Sequence, residues 1–365
     1  MTAATRLALA LALTLLGCGE ADPAPSPPPP PSGTPALRAL PPAVTTADCL
    51  ATVVAGGEPP RALSATGCVR SVEPLVLADE LVPYAVASPL FSDYAAKERW
   101  IALPPGAVAT FGAEDFLEVP VGTRFAKLFA RPTEADPVNL ELRFSVQLAD
   151  GVRFFSYRFA DGDAVLMTES ATEVFAVPGD LEAAYLYPGP ESCPRCHSRA
   201  APLLGLSAPQ LALPVQHGAE PARPQLEVWR DRGLVEAVPD VPAMPRPSDA
   251  SAPLEARARA YLHANCGGCH RPGGYAPPEL TMDLRWSTPT EDTRTRCEYT
   301  QYPGTASDGL RLSPHDPWGS ILVRRMRAAE GDFPSPMPPI GRSLPDEFGA
   351  ALVAEWAATL PPCEW

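Results

Sequence analysis

The chain has 365 residues and a hydrophobic fraction of 45%, enough for two or three domains with cores of their own. Its 43 acidic residues outnumber the 29 basic ones and give a net charge of −14. This charge argues against nucleic acid as a partner, because proteins that bind it present a basic face.

The first 17 residues predict an export signal. Arg6 supplies a positive charge, and Leu7–Leu16 form an apolar run too short for a membrane-spanning helix, which needs about 20 residues. The run ends in Gly17-Cys18, as in the lipobox of bacterial lipoproteins, so we expect a lipid on Cys18. An ordinary signal peptide containing a cysteine is the alternative. A lipid anchor places the protein in the periplasm or at the cell surface, and the absence of aspartate after Cys18 favours the outer membrane.

Residues 18–47 predict a proline-rich tether. Ten prolines lie between Ala21 and Pro42, five of them consecutive. Such a stretch is an extended, semi-rigid spacer that would hold the folded body away from the membrane.

Residues 48–190 predict a β-rich domain. Apolar and polar residues alternate from Leu140 to Leu148, the period of a half-buried strand. Asp150-Gly151 follows as a turn, and Val152–Phe159 returns as the hairpin partner. Weaker strand candidates are Val119–Phe129 and Glu173–Val177.

After Pro188 the apolar period becomes that of a helix. Ser251 stands where it could cap the second of four predicted helices. These helices cover Leu226–Val235, Leu254–Leu262, Ser320–Ala329 and Pro345–Leu360.

Two segments match C-x-x-C-H, the attachment motif of haem c. Two thiols three residues apart on a helical turn reach the two vinyl groups of one porphyrin, and the adjacent histidine then reaches the iron. The sequence therefore predicts two covalently attached haems, one held by Cys193, Cys196 and His197, the other by Cys266, Cys269 and His270.

The motifs complete the predicted architecture, which is of the α+β class. A β-rich N-terminal domain would be followed by helical cytochrome c-type haem domains. Residues 191–248 would carry the first haem, and residues 249–365 would form a cytochrome c-type domain with the second.

Three other kinds of site contain paired cysteines and are the alternatives to haem attachment. A redox-active C-x-x-C lies at a helix start in a βαβ unit, which neither motif shows. A four-cysteine zinc site needs its pairs closer together than Cys196 and Cys266 are. Two structural disulfides would not require a histidine after each pair.

The second haem has a candidate distal ligand in Met337, which lies in the loop Pro336–Pro339. A thioether opposite histidine raises the reduction potential, as in cytochromes c. Packing of Met337 against the porphyrin edge is the alternative, and Met326 and Met282 are interpreted as packing residues. The predicted metal ligands are therefore His197, His270 and Met337.

The first haem has no equivalent candidate. Met244, in a proline-flanked loop, resembles a distal loop weakly. His217 and His263 are further options, Met167 is a remote one, and the iron could also lack a protein distal ligand.

Four cysteines remain after Cys18 and the motifs. Their even number in an oxidising compartment predicts two disulfides. The expected pairs are Cys49–Cys68 and Cys297–Cys363, and the alternative is four buried thiols.

The chain resembles a family of dihaem c-type cytochromes associated with parallel β-helix repeat proteins. The likeness covers roughly residues 70–360. It is carried by Val82-Pro83-Tyr84, Pro89–Tyr94, Pro120–Thr123 with Lys127, both haem motifs, Arg257–Leu262, Met337-Pro338 and Gly341-Arg342. The aromatic-rich strand before the first haem departs from the family pattern and reads Phe154–Phe159.

The resemblance implies haem c binding by the six motif residues and Met337, and electron transfer outside the cytoplasm. We expect an electron carrier rather than an enzyme, working with redox partner proteins that dock through a basic patch. The alternative is a dihaem peroxidase-like enzyme with an open first haem.

Overall fold

The structure is a computed structural model that describes residues 31, 33–44, 47–112, 115–131, 137–178, 181–300, 309–329, 331–332 and 334–364. The predicted export signal and the lipid-bearing Cys18 lie outside these residues. None of the helices within the described ranges is long and apolar enough to cross a membrane.

Across the described ranges, fifteen strands alternate with short helices. The strands are β1 (Ala36–Leu37), β2 (Val69–Ser71), β3 (Val76–Leu77), β4 (Val82–Tyr84), β5 (Ala96–Ala102), β6 (Thr110–Phe111), β7 (Leu117–Glu118), β8 (Arg124–Arg131), β9 (Val138–Leu148), β10 (Gly151–Ala160), β11 (Asp163–Leu166), β12 (Ala171–Val177), β13 (Leu181–Tyr187), β14 (Pro214–His217) and β15 (Arg223–Pro224). The helices are α1 (Ala51–Val54), α2 (Ala208–Leu211), α3 (Gln225–Asp231), α4 (Leu254–Asn265), α5 (Ile321–Arg327) and α6 (Glu347–Thr359).

The centre of the molecule is a six-stranded antiparallel sheet in the order β11-β10-β9-β8-β5-β4. Because side chains alternate along a strand, Leu142, Phe144 and Val146 share one face of β9, where they enter the main core with Trp100. The opposite face of the sheet presents the charged residues Glu141 and Arg143 instead. The alternation predicted β9 and its hairpin partner β10 correctly.

The prediction of an α+β fold with a helical cytochrome c-type domain is wrong. The protein is β-rich, with 27% strand and 20% helix, and no cytochrome-like helical domain is evident in the described residues. In 249–365 the helices have 12, 7 and 13 residues. Between them the described chain forms turns, bridges and short 3-10 pieces, where recurrent prolines lack the N–H that a helix needs. The predicted apolar stripes are present, but they belong to three short helices that pack into one small core.

The structure differs from the sequence-based predictions for the tether and for the N-cap of α4. Ala36 and Leu37, within the predicted tether, form β1 and pair in parallel with β14. At α4 the N-cap is Pro253 without a side-chain cap, because the Ser251 hydroxyl donates to Asp249 at 2.6 Å.

Both predicted disulfides are present. Cys49 and Cys68 are bonded within the main core, and Cys297 and Cys363 join the C-terminal tail to the loop before α5. The four motif cysteines are the free ones in the described chain.

Helices α4 and α6 pack closely in the C-terminal core. A Cβ at Gly349 of α6 would stand 2.1 Å from the ring of Tyr261 on α4, so only glycine allows this approach. Trp356 and Leu352 fill the rest of the interface, and it fixes α4, whose C-terminus leads into Cys266.

Candidate functional site

The two C-x-x-C-H motifs meet at one cavity of ≈ 490 Å³. Cys193, Cys196 and His197 of the first motif line it, as does Cys269 of the second, whereas Cys266 and His270 do not. The Cys269 thiol lies 3.6 Å from the carbonyl oxygen of Arg195, inside the first motif. The fold therefore places the attachment points of the two motifs next to each other, although they are far apart in the sequence.

The first motif lies on a helical turn. Pro190 begins a 3-10 segment that follows β13, in the position where a missing N–H costs nothing. The His197 N–H then donates to the Cys193 carbonyl at 2.9 Å. This turn presents both thiols and the imidazole to the same cavity, as the spacing predicted.

The second motif continues from the end of α4. The Cys266 N–H donates to the Leu262 carbonyl at 2.8 Å, and the His270 N–H donates to the Cys266 carbonyl at 2.9 Å. A Cβ at Gly267 would stand 2.8 Å from the His263 carbonyl oxygen and 2.9 Å from that of Leu284. Glycine is therefore required there by the tightness of the turn.

His197 is oriented as a metal ligand would be. Its Nδ1 lies 2.8 Å from the Pro202 carbonyl oxygen, which can only accept, so the proton is on Nδ1 and the Nε2 lone pair is free. Its ring packs on Phe154 with centroids 4.3 Å apart. Burial lowers the pKa of His197 to about 4, so the ring is neutral at pH 7.

His270 lies away from the cavity wall. It is 9% exposed, and its Nδ1 is buried without a hydrogen-bond partner among the described residues. Burial lowers its pKa to about 4, with a smaller contribution from Arg325. A neutral, buried imidazole with an unsatisfied nitrogen is costly unless something other than a residue binds it.

The four motif thiols do not have the properties of a redox C-x-x-C pair. Burial raises the pKa of Cys266 to about 12 and that of Cys269 to about 11, and it also raises the pKa of Cys193 and Cys196. Catalytic thiols have lowered pKa values. Within the described residues no group of three or more His, Cys, Asp or Glu lies where it could hold a metal ion.

The residues present fit haem c in their chemistry. Both motifs supply two unpaired thiols and a neutral imidazole, and a cavity of ≈ 490 Å³ is in the usual range for a cofactor site. The cavity is lined largely by apolar and aromatic side chains beside the motif residues, as a porphyrin face requires.

Met337 is held by its backbone, through hydrogen bonds to α5 and to the loop that follows it. Its N–H donates to the Arg325 carbonyl at 2.8 Å, and its own carbonyl accepts from Arg342 at 3.0 Å. Pro338 and Pro339 line the cavity, whereas Met337 does not. Ligation by Met337 remains a prediction. Met326 is buried in the C-terminal core, in agreement with its interpretation as a packing residue.

The distal candidates for the first haem differ in position. Met244 is buried in a cluster with Leu213 and Val215, and His217 is buried on β14; neither lines the cavity. His263 does line it. Its Nδ1 accepts the Trp286 N–H at 3.0 Å, so the proton of the neutral ring is on Nε2. In this tautomer His263 offers the cavity a donor rather than a lone pair.

Sequence reasoning missed a row of cations opposite the first motif. Arg99, Lys127 and Arg143 stand directly across from one another on β5, β8 and β9, and all three line the cavity. The only signal was the rarity of lysine, since Lys97 and Lys127 are the two lysines of the whole chain. Both lie against the ring of Phe129.

No family model, curated protein or solved structure matches the chain.

Proposed function

We propose that the chain is a dihaem c-type cytochrome that transfers electrons between redox partners outside the cytoplasm. The observation that carries this proposal is the convergence of both C-x-x-C-H motifs on one cavity, with the Cys269 thiol 3.6 Å from the Arg195 carbonyl oxygen. Four thiols left unpaired, in a chain whose other described cysteines form disulfides, support thioether attachment.

Haem c supplies a reversible one-electron couple. The chain's own residues bind and orient it: Cys193 and Cys196, with Cys266 and Cys269, provide the thiols, and the Pro202 carbonyl fixes the His197 ring with Nε2 free. The Cys269 thiol and the Arg195 carbonyl oxygen of the first motif lie 3.6 Å apart, so the residues of the two motifs would hold two such groups close to each other. The apolar lining would exclude water from a bound haem. Exclusion of water disfavours the more highly charged oxidised state and therefore raises the reduction potential.

The location and partners follow from the charge and the N-terminal sequence. A lipid on Cys18 would anchor the protein, with the outer membrane favoured. Loss of the signal with Arg6 makes the net charge of −14 one unit more negative. Such a surface steers redox proteins with a basic docking patch and repels nucleic acid.

The test is expression in a bacterium that matures c-type cytochromes. Mass spectrometry should show two covalent haems, and replacing Cys193 and Cys196 together by Ala should remove one. Replacing Cys266 and Cys269 together should remove the other, whereas Cys49→Ala and Cys68→Ala should leave both. A purified wild-type protein without covalent haem would overturn the proposal.

A peroxidase-like enzyme is the second candidate, favoured by His263. A histidine that presents an Nε2–H to the cavity is placed to interact with a bound peroxide rather than to ligate iron. Electron paramagnetic resonance of the oxidised protein separates the two functions. Two low-spin centres support the carrier, whereas one high-spin centre with rapid peroxide turnover that His263→Leu abolishes supports the enzyme.

A further inference from the structure

The cavity wall is positively charged in a protein that is acidic overall. Six basic residues and one acid, Asp115, line it among the described residues, against a net charge of −14 for the chain. Three of the six form the row on the sheet, namely Arg99, Lys127 and Arg143. Like charges directly opposite one another across strands destabilise a sheet, so this row needs a reason.

Among the described residues, a carboxylate pairs with Arg143 of the row but with neither Arg99 nor Lys127. Glu141 is 0% exposed and forms an ion pair with Arg143, and it also accepts from Tyr185 at 2.7 Å and Ser156 at 3.0 Å. This carboxylate is therefore fully used. The side chains of Arg99 and Lys127 form no hydrogen bond or ion pair within the described part of the chain, although their backbones belong to the β5–β8 ladder. The Lys127 Nζ lies 4.8 Å from the centre of the Phe129 ring, and the Glu141 carboxylate attracts it without forming an ion pair with it.

The row lies beside the first motif. Lys127 and Arg143 line the same cavity as Cys196 and His197. Their charges oppose the rise in the Cys196 pKa that burial causes, and they add to the lowering of the His197 pKa. Burial is the larger cause for His197, and the two cations add to it. A haem attached to Cys193 and Cys196 would therefore lie beside this row.

Resting on the proposed function, we infer that Arg99, Lys127 and Arg143 form the carboxylate site for the propionates of the haem attached to Cys193 and Cys196. Each haem carries two carboxylates that must be either solvated or paired when the porphyrin is enclosed. Buried unpaired cations and buried unpaired carboxylates are each costly, and bringing them together removes both costs. Guanidinium groups suit this task because they bind carboxylates in a bidentate manner.

Lys127 and Lys97 provide a matched pair of variants. Both ammonium groups lie against Phe129, at 4.8 and 5.6 Å from the ring centre, but only Lys127 lines the cavity. Lys97 donates to the Ala95 carbonyl at 2.9 Å instead. Lys127→Met and Lys97→Met therefore make the same side-chain change in the same neighbourhood, inside and outside the proposed site.

The experiment is redox-induced infrared difference spectroscopy on the holoprotein, with the propionate carboxyl carbons labelled with ¹³C through a porphyrin precursor. Covalent haem content is measured first, since its absence would overturn the proposed function rather than this inference. At the potential step of the first haem, the labelled carboxylate bands should shift in Lys127→Met, stay in place in Lys97→Met, and return towards the wild-type position in Lys127→Arg.

Two results would overturn the inference. Labelled bands unchanged in Lys127→Met would show that the propionates lie elsewhere. A wild-type spectrum that changes on addition of inorganic phosphate, without movement of the labelled bands in Lys127→Met, would assign the row to a soluble oxyanion.

Discussion

Asp93 and Ser343 lie 250 residues apart in the sequence and are joined by a buried carboxylate clasp. Asp93, 2% exposed, accepts the Ser343 N–H at 2.8 Å and the Leu344 N–H at 2.9 Å. The clasp ties the loop after Met337 to the turn before β5. The position of the predicted distal ligand thus depends on a residue of the β-rich half.

Asp93→Asn should loosen this loop. An amide keeps one oxygen for the two N–H groups, but its NH₂ replaces the oxygen that accepts from the Ser343 N–H and hydroxyl. A donor then faces donors in a buried site, at a cost of about 2 kcal/mol in the free energy of unfolding. Denaturant unfolding measures this cost. Asp231→Asn is the control, since that carboxylate forms surface ion pairs and its loss should cost much less than that of the buried Asp93 carboxylate. Equal effects of the two substitutions would argue against the clasp.

Met337→Ala should lower one of two midpoint potentials and leave the other unchanged. A thioether favours ferrous iron, and its loss removes the sulfur-to-iron charge-transfer band of the ferric protein. Spectropotentiometry follows both changes. Met282→Ala provides the comparison and should change neither quantity. If Met337→Ala keeps the band and both potentials, Met337 is a packing residue and Met282 or Met326 becomes the candidate ligand.

Lys97→Met should be more stable than the wild type at neutral pH, and this difference in stability should disappear at alkaline pH. Burial, with smaller contributions from Arg99 and Arg143, lowers the pKa of Lys97 to about 7, while Asp93 and Asp346 oppose the shift. The unfolded value is about 10.4, so between pH 7 and 10 the unfolded state binds more protons and wild-type stability rises with pH.

The stability difference between Lys97→Met and the wild type should therefore be largest below about pH 7, up to about 4 kcal/mol, and disappear near pH 10. Denaturant unfolding of both proteins over this range measures it. A difference that does not change with pH would show that Lys97 stays protonated in the folded protein.

Cys18→Ser should release the protein from membranes. The hydroxyl cannot accept the lipid that the lipobox predicts, and nothing among the described helices could span a bilayer in its place. Fractionation and immunoblotting compare the two proteins. Continued sedimentation of the variant with membranes would contradict a lipid anchor at Cys18.

The sequence patterns predicted local features well. The β9–β10 hairpin followed from strict alternation and a turn, and the two disulfides followed from cysteine count and compartment. Each of these depends on residues close in sequence or on simple pairing rules. The motif spacing likewise placed His197 on a turn with its thiols.

These local patterns do not predict which elements pair or pack together across long distances in the sequence. The apolar stripes around Leu254 and Trp356 predicted helices correctly, but they did not show how small the helical share of the C-terminal half is. The proline-rich segments between the helices fold through tertiary contacts, which a local pattern does not reveal. The register that sets Lys127 opposite Arg99 and Arg143 depends on the pairing of three strands. No local pattern encodes that pairing, so the cation row could not be found from the sequence.

The enclosure of the second motif has a consequence for biogenesis. In the folded protein Cys266 is partly buried at the end of α4, and burial raises its pKa to about 12, so the nucleophilic thiolate is scarce. On the proposed function, the enzyme that forms the thioether bonds must reach this cysteine while the exported chain is still open. Haem attachment would then precede folding. A chain that folded before attachment would remain an apoprotein.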